Sequence, residues 1–83
     1  MPESVQLPVT VARLRRGQSA LLDRIDTSHD AAERLMELGL VPGCRILLEG
    51  RGPGGSCLCR VDGGCVLALR RETAERLEVL PTV

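Results

Sequence analysis

The sequence predicts a mainly β domain: a small closed barrel of five short strands with one α-helix inserted at about residues 28–38. Three observations carry this. An apolar stripe that ends at Leu38-Gly39 and is followed by Pro42-Gly43 marks a helix forced to stop and hand over to a strand. Downstream, Asp62-Gly63-Gly64 separates two runs of alternating apolar residues, the pattern of a β-hairpin. Finally, 83 residues without a single Phe, Tyr or Trp must build a thin aliphatic core, and closing the sheet hides edges that an open one would expose.

The chain reads as one domain over residues 1–83, with a core at about 10–80 and loose termini. Pro2 and Pro8 oppose regular structure in residues 1–11, leaving Val9, Val11 and Leu14 to pack onto the rest. Arg15-Arg16-Gly17-Gln18 is a turn, and residues 19–26 form the first strand, in which Ala20 and Leu22 alternate with Leu21 and Asp23 and Ile25 is the last apolar residue. Thr27 or Ser28 caps the helix, and Asp26, Asp30 and Glu33 favour its positive N-terminal end. On that helix Leu35 and Leu38 share a face, extended by Met36 and Leu40. Gly39 occupies the left-handed C-terminal position, and Pro42-Gly43 turns the chain into a strand over residues 44–49.

Residues 50–56 form a Gly-rich loop. A phosphate-binding loop needs a strand before it, a helix after it and usually a Lys; here a strand follows and Lys is absent, so nucleotide binding is excluded. The hairpin register follows from its loop. A three-residue Asp62-Gly63-Gly64 connection, a type I turn with a glycine bulge, sets Val61 opposite Cys65, Cys59 opposite Leu67 and Cys57 opposite Leu69, with all six on one face. A two-residue loop would pair Arg60 with Cys65 and mix polar with apolar. Residues 70–75 make a single helical turn, and residues 77–80 a closing strand ended by Pro81.

Composition narrows the function classes. Eleven acidic and 11 basic side chains cancel, and with no aromatic ring to stack on bases the chain does not fit nucleic acid. Every basic residue is Arg, which suits a genome rich in G and C and also supplies planar, bidentate donors for protein contacts. No signal peptide and no apolar run near the roughly 20 residues of a membrane span are visible, so a cytosolic protein with reduced thiols, not inserted in a membrane, is expected. Catalysis has no constellation, and a core this thin leaves no room for a pocket of roughly 300 Å³, so no enzyme is expected.

Cys57-x-Cys59 with Cys65 across the hairpin has the look of a soft-metal site. Structural zinc ligands, however, converge from a turn, whereas these alternate along a strand opposite leucines, so core packing is the preferred reading for Cys57, Cys59 and Cys65. Cys44 carries no signal of its own. His29 is the single histidine; beside Asp26, Asp30 or Glu33 it is a candidate for an adventitious divalent ion, zinc or iron(II), held between two molecules, and no cofactor is required.

Three segments, Leu35-Met-Glu-Leu-Gly-Leu-Val-Pro-Gly43, Arg51-Gly-Pro-Gly-Gly55 and Leu67-Ala-Leu-Arg-Arg-Glu-Thr-Ala-Glu-Arg-Leu77, resemble the FeoA family, the small cytosolic component of bacterial ferrous iron uptake. The chain is also similar to the C-terminal domain of iron-dependent repressors of the diphtheria-toxin-repressor type, over residues 10–80. The resemblance implies an SH3-like barrel with an inserted helix and an accessory role: binding the cytoplasmic, GTP-binding portion of the membrane permease FeoB, with recruitment to the inner membrane through it. A weak homo-oligomer is a further partner expectation. The other reading is a metal-responsive regulator module, which would need an attached DNA-binding domain. The family's Pro-Leu-Gly-Asp-Pro type of loop is replaced here by Pro53-Gly-Gly-Ser56, and the strand cysteines are outside its pattern. Recognition of Pro-rich peptides in the manner of SH3 domains conflicts with the lack of aromatic residues. The candidate partner surface is the outward side of the helix, with Asp30, Glu33, Arg34 and Glu37 around Leu40 as apolar anchor, followed by Arg51 and the Arg70-Arg71 end of the barrel.

Overall fold

Alternation of apolar and polar residues is what sets the strands of this chain, and the computed structural model, which describes residues 8–26 and 32–81, contains six of them. They are β1 (Val9–Thr10), β2 (Ser19–Ile25), β3 (Arg45–Arg51), β4 (Cys57–Val61), β5 (Val66–Leu69) and β6 (Leu77–Pro81); the helices are α1 (Ala32–Glu37) and the single turn α2 (Arg71–Ala74). All pairings are antiparallel, in the order β1-β6-β2-β3-β4-β5. The expected mainly β class with an inserted helix is the observed one. Two details differ. The loose N-terminal segment contributes a sixth strand, Val9 pairing with Val79 and Thr10 with Glu78. And among the described residues no pairing joins β1 to β5, so the sheet wraps the core without closing its hydrogen-bond ladder.

Two bulges bend the sheet. Asp23 is the extra residue of β2, since Leu22 pairs with Val79 and Arg24 with Glu78; Glu49 is the extra residue of β3, since Leu48 pairs with Cys59 and Gly50 with Leu58. The first bulge explains a parity break in the sequence: Ala20 and Leu22 point inward, and so does Ile25, three positions on rather than two. The core is one aliphatic cluster that also takes Val11 and Leu14 from the 3-10 turn Val11–Arg13 and the stem that follows it.

The hairpin register is the one its loop demands. Cys57 pairs with Leu69 and Cys59 with Leu67, and the Val61 N–H donates to the Cys65 carbonyl at 3.0 Å. The turn has the opposite hand to the type I expected: Asp62 and Gly63 both have positive φ, 50° and 72°. That geometry matches the twist of the flanking strands, and the Asp62 carboxylate locks it by accepting from the Arg45 N–H at 2.9 Å.

Helix α1 ends in a Schellman motif. The Leu40 N–H donates to the Leu35 carbonyl at 3.0 Å and the Gly39 N–H to the Met36 carbonyl at 3.1 Å, with Gly39 at φ +102°. In this motif the residue after the glycine folds back on the last inward-facing residue of the helix. Leu40 therefore packs with Leu35 in the core and is 0% exposed, whereas Leu38 is 46% exposed. This corrects Leu40 as an outward anchor. The expected helix start at residue 28 and its caps Thr27 and Ser28 lie outside the described residues. The Val41-Pro-Gly-Cys44 turn closes with Cys44 N–H to Val41 C=O at 3.0 Å, Gly43 at φ +96°, and feeds β3.

No atom lies within 4 Å of where a Cβ on Gly39 would sit, so only backbone conformation forbids a side chain there. Gly39→Val is expected to lower unfolding free energy by at least about 1 kcal/mol in urea titration, without altering the native spectrum. A wild-type midpoint would contradict the motif.

Candidate docking surface

Alternation along β4 aims Cys57 and Cys59 inward, and both are fully buried. Burial pushes the Cys59 thiol up to about 12, assisted by its neighbour Cys57, and burial also raises Cys44. A buried thiol that keeps its proton is a poor metal ligand, because the thiolate is the form that binds. Cys65 departs from the expected core packing: it directly follows the hairpin turn, opposite Val61, and is exposed. Among the described residues no three His, Cys, Asp or Glu side chains come together to hold a metal ion. His29 and Asp30 lie outside the described residues. Ellman titration of the native, reduced protein is expected to register Cys65 promptly, and Cys44, Cys57 and Cys59 only with denaturant; rapid reaction of all four would contradict the packing.

The other residues singled out by sequence are scattered. Arg51 is exposed, but its guanidinium is engaged within the chain: Nη2 donates to the carbonyls of Ala12 and Leu14 at 2.7 and 2.6 Å, and Nη1 to the Cys57 sulfur at 3.5 Å. Arg71 pairs with Glu75 at 3.2 Å one helical turn on. Arg60 pairs with Glu49, and Arg76 with Asp26 at 2.9 Å. Glu33 and Glu37 are exposed on α1.

One surface feature remains. Between α1 on one side and β5 with α2 on the other runs an open groove of about 710 Å³, larger than the roughly 300 Å³ for which so thin a core leaves no room. Its apolar lining comes from Leu35 and Leu38 of the helix segment and from Leu67 and Leu69 of the sheet edge. Arg34, Arg70 and Glu72 border it, so its rim carries one positive charge more than negative, and neither guanidinium has a hydrogen-bond or ion-pair partner among the described residues. Of the residues proposed for partner contact, Arg70 is placed in the groove, together with Arg34 from the same helix as Glu33 and Glu37. Leu67 and Leu69 share the inward face of β5 with Cys59 and Cys57 across the ladder, whereas Val66 on the opposite face is 42% exposed and does not line the groove.

The comparisons with known proteins bear on the family and the fold. A family model described as the FeoA domain matches residues 9–81. The FeoA of Stenotrophomonas maltophilia, crystallised with zinc and described as a procaryotic SH3 domain protein and a candidate ferrous iron transport activating factor, is 32% identical, over 86% of this chain and 88% of its own, with a TM-score of 0.69. A crystal structure of the iron uptake regulatory protein FeoA is 25% identical over 92% of this chain and 99% of its own, with a TM-score of 0.78. A manganese-dependent transcriptional repressor shares the fold at a TM-score of 0.82 with 16% identity; the match covers 90% of this chain and 41% of the repressor. No curated protein sequence matches the chain significantly.

Proposed function

The chain belongs to the FeoA family, which acts in ferrous iron transport, and we propose on that footing that it is a binding module rather than an enzyme, docking on the cytoplasmic, GTP-binding portion of a FeoB-type permease. The observation that carries the docking role is the leucine-lined groove between α1 and β5, with two arginines on its rim that have no partner among the described residues. A binding protein has to present apolar area to a partner, because exposed ion pairs alone contribute only about 0–1 kcal/mol. No helix among the described residues is long and apolar enough to cross a membrane; recruitment to the inner membrane through the permease is part of the proposal.

Leu38 replaces Leu40 as the anchor. It follows the last turn of α1, is half exposed and lines the groove, so a charge there removes contact area without touching the core. Leu38→Asp is expected to weaken binding to the purified cytoplasmic domain of the permease by about ten- to a hundredfold, the equivalent of burying one leucine, with an unchanged urea midpoint. Leu21→Asp, on the outer face of β2, should bind as wild type. A folded Leu38→Asp protein with wild-type affinity would refute the groove as the docking site.

A further inference from the structure

The groove is bounded by a sheet edge, and that edge is chemically unfinished. In an antiparallel ladder, residue pairs alternate between those that exchange hydrogen bonds and those that do not. The bond from the Val61 N–H to the Cys65 carbonyl fixes the phase, so Cys59 with Leu67 and Cys57 with Leu69 are the bonded pairs. The N–H and C=O groups of Val66 and Ala68 therefore point away from β4. Strand β5 ends the sheet, and nothing among the described residues pairs with that side.

Natural sheet edges are usually blunted by Lys, Pro, a bulge or an inward charge. This one has none of these; Val66-Leu-Ala-Leu69 is apolar throughout and its pairing with β4 is regular. We propose that β5 receives an extended segment of a partner protein as an added strand, one that inserts an apolar side chain into the groove and carries Asp or Glu beside it. Each part of that description has its own ground. Main-chain groups that point outward two residues apart, roughly 6.8 Å along the edge, require an extended backbone. Alternate side chains of the added strand then fall on the Leu35, Leu38, Leu67 and Leu69 side. Carboxylates answer Arg34 and Arg70, whereas Arg51, Arg60, Arg71 and Arg76 are already engaged. A second copy of this chain fits less well, because its own β5 brings no acidic residue to those arginines.

The proposal gives the partner chemistry of the docking reading above and rests on it for the groove, but its probe is independent of the permease: random dodecapeptides displayed on phage and selected on the immobilised full chain. Enriched sequences are expected to share an apolar residue with Asp or Glu within two positions and to lack proline. A synthetic peptide of that sequence should slow amide exchange at Val66 and Ala68 at least tenfold while leaving Leu67, already bonded to Cys59, unchanged. Ala68→Pro removes only an outward donor, a substitution that edge strands tolerate, and should raise the peptide Kd at least tenfold with the thermal midpoint retained. Should that variant not fold, the exchange pattern decides alone. Arg34→Ala with Arg70→Ala should raise Kd and flatten its salt dependence. No enrichment, basic or proline-rich consensus sequences, or unaltered exchange at Val66 and Ala68 would overturn the proposal. So would a dimer in sedimentation that Ala68→Pro abolishes while no peptide is enriched, which would give the edge to a second copy. Peptide binding without any binding of the permease domain would instead sink the docking reading and leave the strand addition standing.

Discussion

Leu40→Asp is expected to leave no folded protein at room temperature. Leu40 is fully buried against Leu35 at the close of the Schellman motif. Truncating such a leucine costs about 2–5 kcal/mol, and placing an ionised carboxylate there adds several more, or forces it to take up a proton. A domain of this size has a total stability on the order of 8 kcal/mol, so the sum consumes nearly all of it. Circular dichroism should show loss of strand signal without denaturant. Leu40→Met, close in volume, should remain folded within about 1.5 kcal/mol of wild type. A folded, cooperative Leu40→Asp protein would mean that this side chain is outside the core.

Alkali is the second strong lever, because this sequence isolates it. All 11 basic residues are Arg and there is no Tyr, so no Lys or Tyr titration overlaps that of Cys44 and Cys59 in alkali. Burial raises the Cys59 thiol from 9.0 to about 12, and Cys44 shifts in the same direction. A proton held more tightly in the folded state stabilises it fully below the unfolded-state pKa near 9, and that contribution is lost as pH rises through the folded-state value. Unfolding free energy should thus fall by about 1.4 kcal/mol per pH unit above pH 9 for Cys59 alone, near 3 kcal/mol by pH 11, measured by urea titration under reductant. Cys59→Ala should show a visibly shallower slope. A flat profile from pH 8 to 11 would show that the thiol ionises freely in the folded state.

Legibility tracked the range of the interactions. The hairpin register could be read because six residues and three loop positions determine it locally, and the glycine stop of α1 because a single φ decides it. The two-residue β1 could not, since its pairing with Val79 and Glu78 spans nearly the whole chain and Pro8 argues against a strand. Leu40 was misplaced because the residue beyond a helix stop looks exposed until the motif folds it back. Cys65 shares the inward parity of Cys59, yet the ladder does not close over that end, and parity alone does not report where a sheet stops. The groove escaped for a related reason: it arises from the placement of α1 beside β5, which no pattern within either element encodes. Arg51 is on the surface as expected, but its carbonyl partners come from a distant segment that no local pattern names.

That last contact ties together parts of the chain that look independent. The Arg51 guanidinium grips Ala12 and Leu14, 39 and 37 residues away, and touches Cys57 at the far end of the Gly-rich loop. Strand β1 is joined to β6 through only two register pairs, so besides Val11 and Leu14 in the core this one side chain is the main clasp of the amino-terminal segment. Fraying of residues 9–14 strips the guanidinium of its acceptors and frees the end of β3, and opening of the loop withdraws the clasp from residues 12 and 14. Both belong to a single cooperative unit of partial unfolding, with one opening free energy below that of the whole domain.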